Sequence, residues 1–381
     1  MSASLTAAAR YLGAAAGLLL ALAACAPAAP SATAPAAAPP AAAAPAAGAG
    51  AAQPTGQAAG AAAASSARQS SEVIEVGHLG GGTDFGIILA DALGFFQQQG
   101  LTVEQTVVKG VPEGLPLLAT NQLQVLGGAP SASVFNAIGR GVGVRIVADR
   151  AQVQPGRSVA PLIARQALRG AINGPADLFG KRIATTNEAG SSWVGLYRYV
   201  TDAGLNFKDL DIVLMPFPDM VPALGSGQVD MATIIEPFAS AAVAGDIGFQ
   251  VVDEYTMYPY HQTGVLMYSS DFIGQREEDA KRFAVAYLQG VRAYLDAFGP
   301  DRVNHEQVVQ ALVENTRLKD PALYEVMIPS AFEPNGQVNV ASLEYDLNYF
   351  VAAGYVKDPP TIAQALDLRF IDYALAVLGR R

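Results

Sequence analysis

Pro116-Leu117-Leu118-Ala119-Thr120-Asn121-Gln122-Leu123-Gln124-Val125 and Pro222-Ala223-Leu224-Gly225-Ser226-Gly227-Gln228-Val229-Asp230-Met231 read as two copies of one pattern. Pro116/Pro222, Leu118/Leu224 and Gln122/Gln228 match in register. After each copy an apolar strand runs to a proline, Pro130 in the first and Pro237 in the second, and a helix is expected to follow. Repetition of such a unit predicts two lobes of similar design, each pointing helix N-termini into a shared cleft. Helix N-termini present backbone N–H groups without intrahelical partners, so a ligand's acceptor atoms bind there readily.

Outward from the repeat, the pattern alternates between α and β. Glu72 to Gly77 alternates as a strand, and Phe85, Ile88, Leu89, Ala92, Leu93 and Phe96 then recur at helical spacing, which makes a βα unit. Further strands are predicted at Leu101–Val108, Gln122–Leu126, Val144–Ala148, Val159–Ala164, Arg182–Thr185, Asp211–Met215, Met231–Ile235 and Gly264–Tyr268. From Asp279 the chain turns helical, with Phe283, Tyr287, Leu288, Val291, Tyr294, Leu295 and Phe298 on one face that belongs in a core. Residues 71–381 exceed the ~250–300 that one hydrophobic core organises, which again calls for two lobes.

The first seventy residues are of another kind. Arg10, an apolar run from Tyr11 to Leu22 and the small residues of Leu22-Ala23-Ala24-Cys25 compose a lipoprotein signal, 1–24, cut before the chain's single cysteine. The run carries Gly13 and Gly17, meets Pro27 and falls short of the ~20 residues of a membrane span. Acylated Cys25 would then hold the protein at the extracytoplasmic face of the cell membrane. Residues 25–70, rich in Ala and Pro and without a large apolar side chain, form a tether that reaches roughly 40 Å as a flexible coil.

Charge narrows the partners. Two of the 24 Lys and Arg, Arg10 and Arg68, precede Ser71 and none of the 34 Asp and Glu do, so the folded part is more acidic than the whole chain's net −10. Nothing there resembles a basic nucleic-acid footprint. With no cysteine after Cys25, the folded part holds no disulfide, and it is expected to be a monomer.

Several ordered motifs carry a family resemblance. Gly94-Phe95-Phe96 through Gly100-Leu101-Thr102-Val103, the turn Gly127-Gly128-Ala129-Pro130-Ser131, Gly180-Lys181-Arg182-Ile183-Ala184, and Gly227-Gln228-Val229-Asp230 with Glu236-Pro237 resemble the nitrate/sulfonate/taurine solute-binding proteins. These are receptors of ABC importers, in a superfamily shared with proteins that bind or make the thiamine pyrimidine precursor and with riboflavin-binding lipoproteins. The resemblance covers about Val73 to Phe298. It departs at Asn121 and Gln124, where the family often has Gly and Asp. It implies a periplasmic-binding-protein-like (type II) fold, with lobe 1 at 71–167 and 252–381, lobe 2 at 168–251 inserted between two crossing strands, and the ligand in the cleft. A hinge motion then closes the lobes on solute, and the closed form docks on a permease with its ATPase.

Candidate ligand residues lie where strands end and helices begin. Gly80-Gly81-Gly82-Thr83-Asp84-Phe85 brings backbone close to a ligand, and Asp84 either caps the next helix or contacts the solute. Phe85 stands beside it. Ser131 and Ser133 open a helix with the same two readings. Glu188, Ser191, Ser192 and Trp193 occupy the corresponding turn of the second lobe, Trp193 as core or as a stacking platform. Glu236 follows a strand, where a cap is the alternative to a ligand contact. Tyr258, Tyr260, His261 and Gln262 near the second crossing make either a cleft wall or a packed loop.

Enzyme signals are weak. His78, His261 and His305 lack metal-ligand spacing, Gly139-Arg140-Gly141-Val142-Gly143 precedes a strand instead of following one, and no Gly-Lys-Ser/Thr follows Gly80 to Gly82. No metal or cofactor is expected. A transport receptor is favoured over a surface enzyme or a ligand sensor. The candidate loops hold Asp84, Glu188 and Glu236 and no Lys or Arg, which with Phe85, Trp193 and the tyrosines points to a neutral or cationic ring bearing donors, such as a riboflavin or thiamine pyrimidine. Nitrate, taurine or an alkanesulfonate is the alternative, disfavoured by a desolvated carboxylate beside an anion.

Overall fold

The computed structural model describes residues 72–157 and 159–381. The leader, Cys25 and the tether lie outside the described residues. Ten strands form two sheets: β1 (Ile74–His78), β2 (Val103–Val107), β3 (Val125–Gly128), β4 (Val144–Gln152), β5 (Leu162–Arg165), β6 (Arg182–Thr185), β7 (Asp211–Leu214), β8 (Met231–Thr233), β9 (Gly248–Val252) and β10 (Gln262–Ser269). The first sheet runs β2-β1-β3-β10-β4 and the second β7-β6-β8-β5-β9. In the first, β1 pairs parallel with β2 and β3 while β10 is antiparallel to β3 and β4. In the second, β6 pairs parallel with β7 and β8 while β5 is antiparallel to β8 and β9. The two orders correspond strand for strand. Each antiparallel strand, β5 and β10, is the one the chain lays down immediately after crossing between sheets.

The sequence repeat survives as a structural one. Helix Val111–Ala119 carries Pro116 inside it and leads to β3 at Val125, and helix Phe217–Ser226 carries Pro222 and leads to β8 at Met231. Pro112 and Pro218 stand in the first turn of each, where a missing N–H costs nothing. Sequence positions that matched in pattern therefore match in fold.

Burial follows the layering. β1 and β3 are almost wholly buried because helices cover both faces of a parallel pair, whereas edge strand β2 alternates toward solvent. Helix Glu277–Ala297 supplies Phe283, Tyr287, Leu288, Val291 and Tyr294 to the core, as its spacing predicts, while Leu295 and Phe298 are only partly buried beside it. Each predicted strand is present, with ends moved by a few residues. Strand β9 lies outside the expected set, since Gly248-Phe249-Gln250-Val251-Val252 is only partly buried and follows a turn, which blurs its alternation. The start of the inserted lobe also moves. β5, placed in the first lobe by the expected boundary at Leu168, pairs in the second sheet, so the first crossing lies between Gln152 and Leu162. The second crossing lies between Val252 and Gln262. Among the described residues no helix is long and apolar enough to cross a membrane.

Candidate functional site

Both lobes and both crossing segments converge on one small cavity of about 30 Å³. Thr83, at the end of the β1 turn, and Arg150, near the end of β4, face it from the first sheet's side. Thr186, Asn187, Ser191 and Ser192 face it from the turn after β6, and Val159, Ala160 and Glu254 from the crossing segments. Leu79, Val111, Ala129, Phe217 and Ile235 provide apolar wall. Such a volume holds about one water, so a solute must part the lobes to enter.

The lobes meet around this cavity through hydrogen bonds. Gly82 N donates to Glu236 O (2.6 Å), Ala132 N to Ala189 O (3.0 Å), and Trp193 Nε1 to Tyr349 Oη (3.2 Å). A Cβ at Gly82 would lie 2.8 Å from Glu236 O, so this approach of two backbones requires glycine.

Donors predominate in the lining. Helix Ser191–Thr201 begins after Gly190 with no side-chain cap, and its first intrahelical bond is Val194 N to Gly190 O (3.0 Å). The N–H groups of Ser191, Ser192 and Trp193 make no hydrogen bond among the described residues, and the helix dipole favours negative charge at that end. Opposite, Arg150 is 1% exposed, donates from Nε to Asp84 Oδ1 (2.7 Å) and from Nη2 to Thr83 Oγ1. Among the described residues no hydrogen bond takes its Nη1.

Asp84 is committed to the fold. Its Oδ2 accepts from Leu79 N (3.0 Å) and Gly81 N (3.2 Å), and its Oδ1 from Arg150. Burial pushes the carboxyl up, but the Arg150 guanidinium, with His78 beside it, pulls it further down, to about 2. The pair is formally neutral. Glu236 also holds its own helix end, accepting from Ser240 N and Ser240 Oγ (both 3.1 Å), and burial raises it to about 7. Glu254 is the acidic group that does line the cavity. Its Oε2 accepts from Val159 N (3.0 Å) and Ala160 N (2.8 Å), and burial raises it to about 7 against the pull of His261 and those two bonds.

The remaining candidates are distributed as follows. Ser191 and Ser192 line the cavity. Phe85 is in the core against Tyr294 and Tyr324. Ser131 and Ser133 share a hydrogen bond (2.7 Å) under the Ala189 turn, and Glu188 is exposed. Trp193 packs its ring on Phe207 and Tyr355 (centroids 5.0 and 6.2 Å), clasping the lobes instead of flooring the cavity. Tyr260 is 51% exposed against Tyr255, while Tyr258 is buried and stacked on His261 (4.1 Å). His261 Nε2 meets Asp346 Oδ2 at 2.9 Å, and Gln262 Nε2 donates to Asp149 Oδ1 (2.6 Å).

Arg150 corrects the expectation of a cleft without Lys or Arg. The predicted strand stopped at Ala148, which put Asp149-Arg150 outside it, yet β4 runs on to Gln152 and carries both into the interior. The signal available was the charged pair itself, set inside an otherwise apolar run. Thr83 lies in the Gly80–Phe85 stretch already marked as a candidate, but Thr186 and Asn187 had no such signal, since short polar residues in turns look alike until the chain folds, and Thr263 on β10 and Glu254 at a helix start carry none in their local pattern. No cluster of three metal-ligating side chains is found among the described residues.

Known proteins share this architecture. A curated relative, the nitrate import ATP-binding protein NrtC of Synechocystis sp., is 24% identical over 242 residues, 59% of this chain. The chain spans only 35% of that relative's length. The alkanesulfonate-binding protein SsuA of Xanthomonas axonopodis pv. citri, solved bound to MOPS, superposes with a TM-score of 0.63 at 17% identity, covering 78% of this chain and 98% of that one. The periplasmic nitrate-binding protein NrtA of Synechocystis PCC 6803 superposes at 0.65 with 14% identity, covering 81% and 89%. The fold is thus the two-lobed periplasmic-binding-protein type II architecture. The sequence profile of the NMT1/THI5-like family matches residues 83–297, more than half of the chain, and the protein belongs to that family.

Proposed function

We propose that this chain is the solute-binding component of an ABC importer, held at the extracytoplasmic face by a lipid on Cys25, and that it captures a small oxyanion of the sulfonate or nitrate kind. Closure of the two lobes presents the solute to a membrane permease and its ATPase. It is a receptor and not an enzyme. The observation that carries this reading is the gathering of donors on one interlobe cavity: Arg150 from the first lobe, and Ser191 and Ser192, whose N–H groups open a helix, from the second. A solute bound there bridges the lobes, which is what couples binding to closure. The neighbours solved with a sulfonate-type or nitrate-binding role are in keeping with it.

A donor-bearing heterocycle, a riboflavin or a thiamine pyrimidine precursor, is the second reading. Glu254, as a buried acceptor, and the Phe217 ring on the wall favour it. Against it, the rings of Trp193 and Tyr258 are engaged elsewhere. A thermal-shift panel on the purified protein separates the two, because a ligand that binds only the folded state raises its melting temperature. Nitrate, methanesulfonate and taurine are expected to stabilise it. Stabilisation by riboflavin or an aminopyrimidine alone would overturn the oxyanion reading.

A further inference from the structure

Glu254 belongs to both the hinge and the cavity. It opens the short helix Glu254–Met257 on the returning crossing segment and is 1% exposed. Its Oε2 accepts from the backbone N–H groups of Val159 and Ala160 on the outgoing crossing segment. One carboxyl oxygen therefore ties the two connections between the lobes together. The same carboxyl, with Val159 and Ala160, lines the cavity that Arg150, Ser191 and Ser192 also face. Among the described residues no hydrogen bond reaches Oε1.

Charge makes this position consequential. Arg150 is the lining cation, and Asp84 cancels it at 2.7 Å. An ionised Glu254 would leave the closed site negative, and an incoming oxyanion would face a desolvated like charge, a combination that drives a carboxyl toward its neutral form. Oε2 can remain the carbonyl acceptor for Val159 and Ala160 whichever protonation state is present. A proton at Oε1 therefore costs the hinge nothing and adds a donor to the cavity.

We propose that Glu254 donates an Oε1 hydroxyl to the bound oxyanion, so that each solute is captured together with one proton. The inference rests on the oxyanion reading given above. In the balance, one carboxylate and one solute anion take up one proton from solvent. The proton attaches at Oε1, no covalent bond to the solute forms or breaks, and a single negative charge remains across the O–H···O contact. Burial already holds this carboxyl near neutrality, at about 7, so little further shift is needed.

Other groups face Glu254 and must be separated from it. His261 and Asp253 lie on its own segment, His261 being tied to Asp346 at 2.9 Å and stacked on Tyr258, and Arg150 with Asp84 lies across the cavity. Asp149 and Glu236 are buried carboxyls also raised to about 7, but neither lines the cavity. Substitution of Glu254 alone removes its titration and leaves theirs.

The experiment is calorimetric titration of the full chain with nitrate and with methanesulfonate, neither of which titrates between pH 5 and pH 8, in two buffers of different ionisation enthalpy. The wild type is expected to take up protons on binding at pH 8, approaching one per solute. Affinity should fall by about tenfold per pH unit above 7. Glu254→Gln keeps an oxygen for Val159 and Ala160 and an amide donor for the solute, so it should bind with no proton uptake and a flat pH profile. Wild-type binding without proton uptake would overturn this inference alone, and needs no variant that folds. An unchanged slope in Glu254→Gln would do the same. Failure of both anions to bind the wild type at pH 5 would overturn the oxyanion reading, and this inference with it.

Discussion

Replacing Asp84 by Asn removes the counter-ion of the Arg150 guanidinium, which pairs with no other carboxylate among the described residues. Arg150 is 1% exposed and Asp84 fully buried, with Nε and Oδ1 2.7 Å apart. Losing one partner of such a pair leaves an uncompensated buried charge, which costs about 3–5 kcal/mol. A second route gives a similar size. The Asp84 carboxyl sits at about 2 instead of 3.8, and at ~1.4 kcal/mol per unit this is on the order of 2–3 kcal/mol of stability from the ionised form. Because the folded value is the lower one, that contribution is complete above the unfolded value and is lost as pH falls from about 4 toward 2. Urea denaturation of wild type and Asp84→Asn should therefore differ by several kcal/mol at pH 7, and the gap should shrink as pH falls below 4. Adding Arg150→Met to Asp84→Asn should restore part of the loss, since no buried charge is then left alone. A gap at pH 7 under about 1 kcal/mol, the size of an exposed pair, would refute the reasoning. So would a gap that does not change between pH 4 and pH 2.

Gly82→Ala places a Cβ 2.8 Å from Glu236 O and 2.5 Å from Ser330 Oγ, a wedge of about 1–3 kcal/mol. It should weaken solute binding about tenfold or more, and small-angle scattering should show a more extended particle in the presence of solute, whereas an unchanged profile and affinity would count against closure at this contact. Asp149, Glu236 and Glu254 are all raised to about 7 by burial. A folded value above the unfolded one gives stability that is complete below the unfolded value and lost as pH rises through 7. Thermal melting of the solute-free protein should accordingly show lower stability at pH 8 than at pH 5, and the reverse order would contradict it. Cys25→Ser should abolish lipidation and release the protein from membranes on fractionation, and undiminished retention would remove the lipoprotein reading.

Local chemistry was enough for the sequence to determine the architecture. The Pro116 and Pro222 repeat, the apolar β1 and the helical stripe of Phe283, Tyr287 and Val291 each report burial, and burial is what a lobe of this kind consists of. Helix starts were legible for the same reason, which is why Ser191 and Ser192 could be placed at the cavity from sequence. Partnership was not legible. Asp84 had two readings until Arg150, sixty-six positions on, closed its hydrogen-bond set. Trp193 had two until Phe207, Tyr349 and Tyr355 surrounded it. Glu254 carried no signal at all, because its role depends on two crossing segments that lie nearly a hundred residues apart in the chain and only meet in the hinge. A carboxylate's function is set by which donors desolvate with it, and that set is drawn from distant segments only when the lobes assemble.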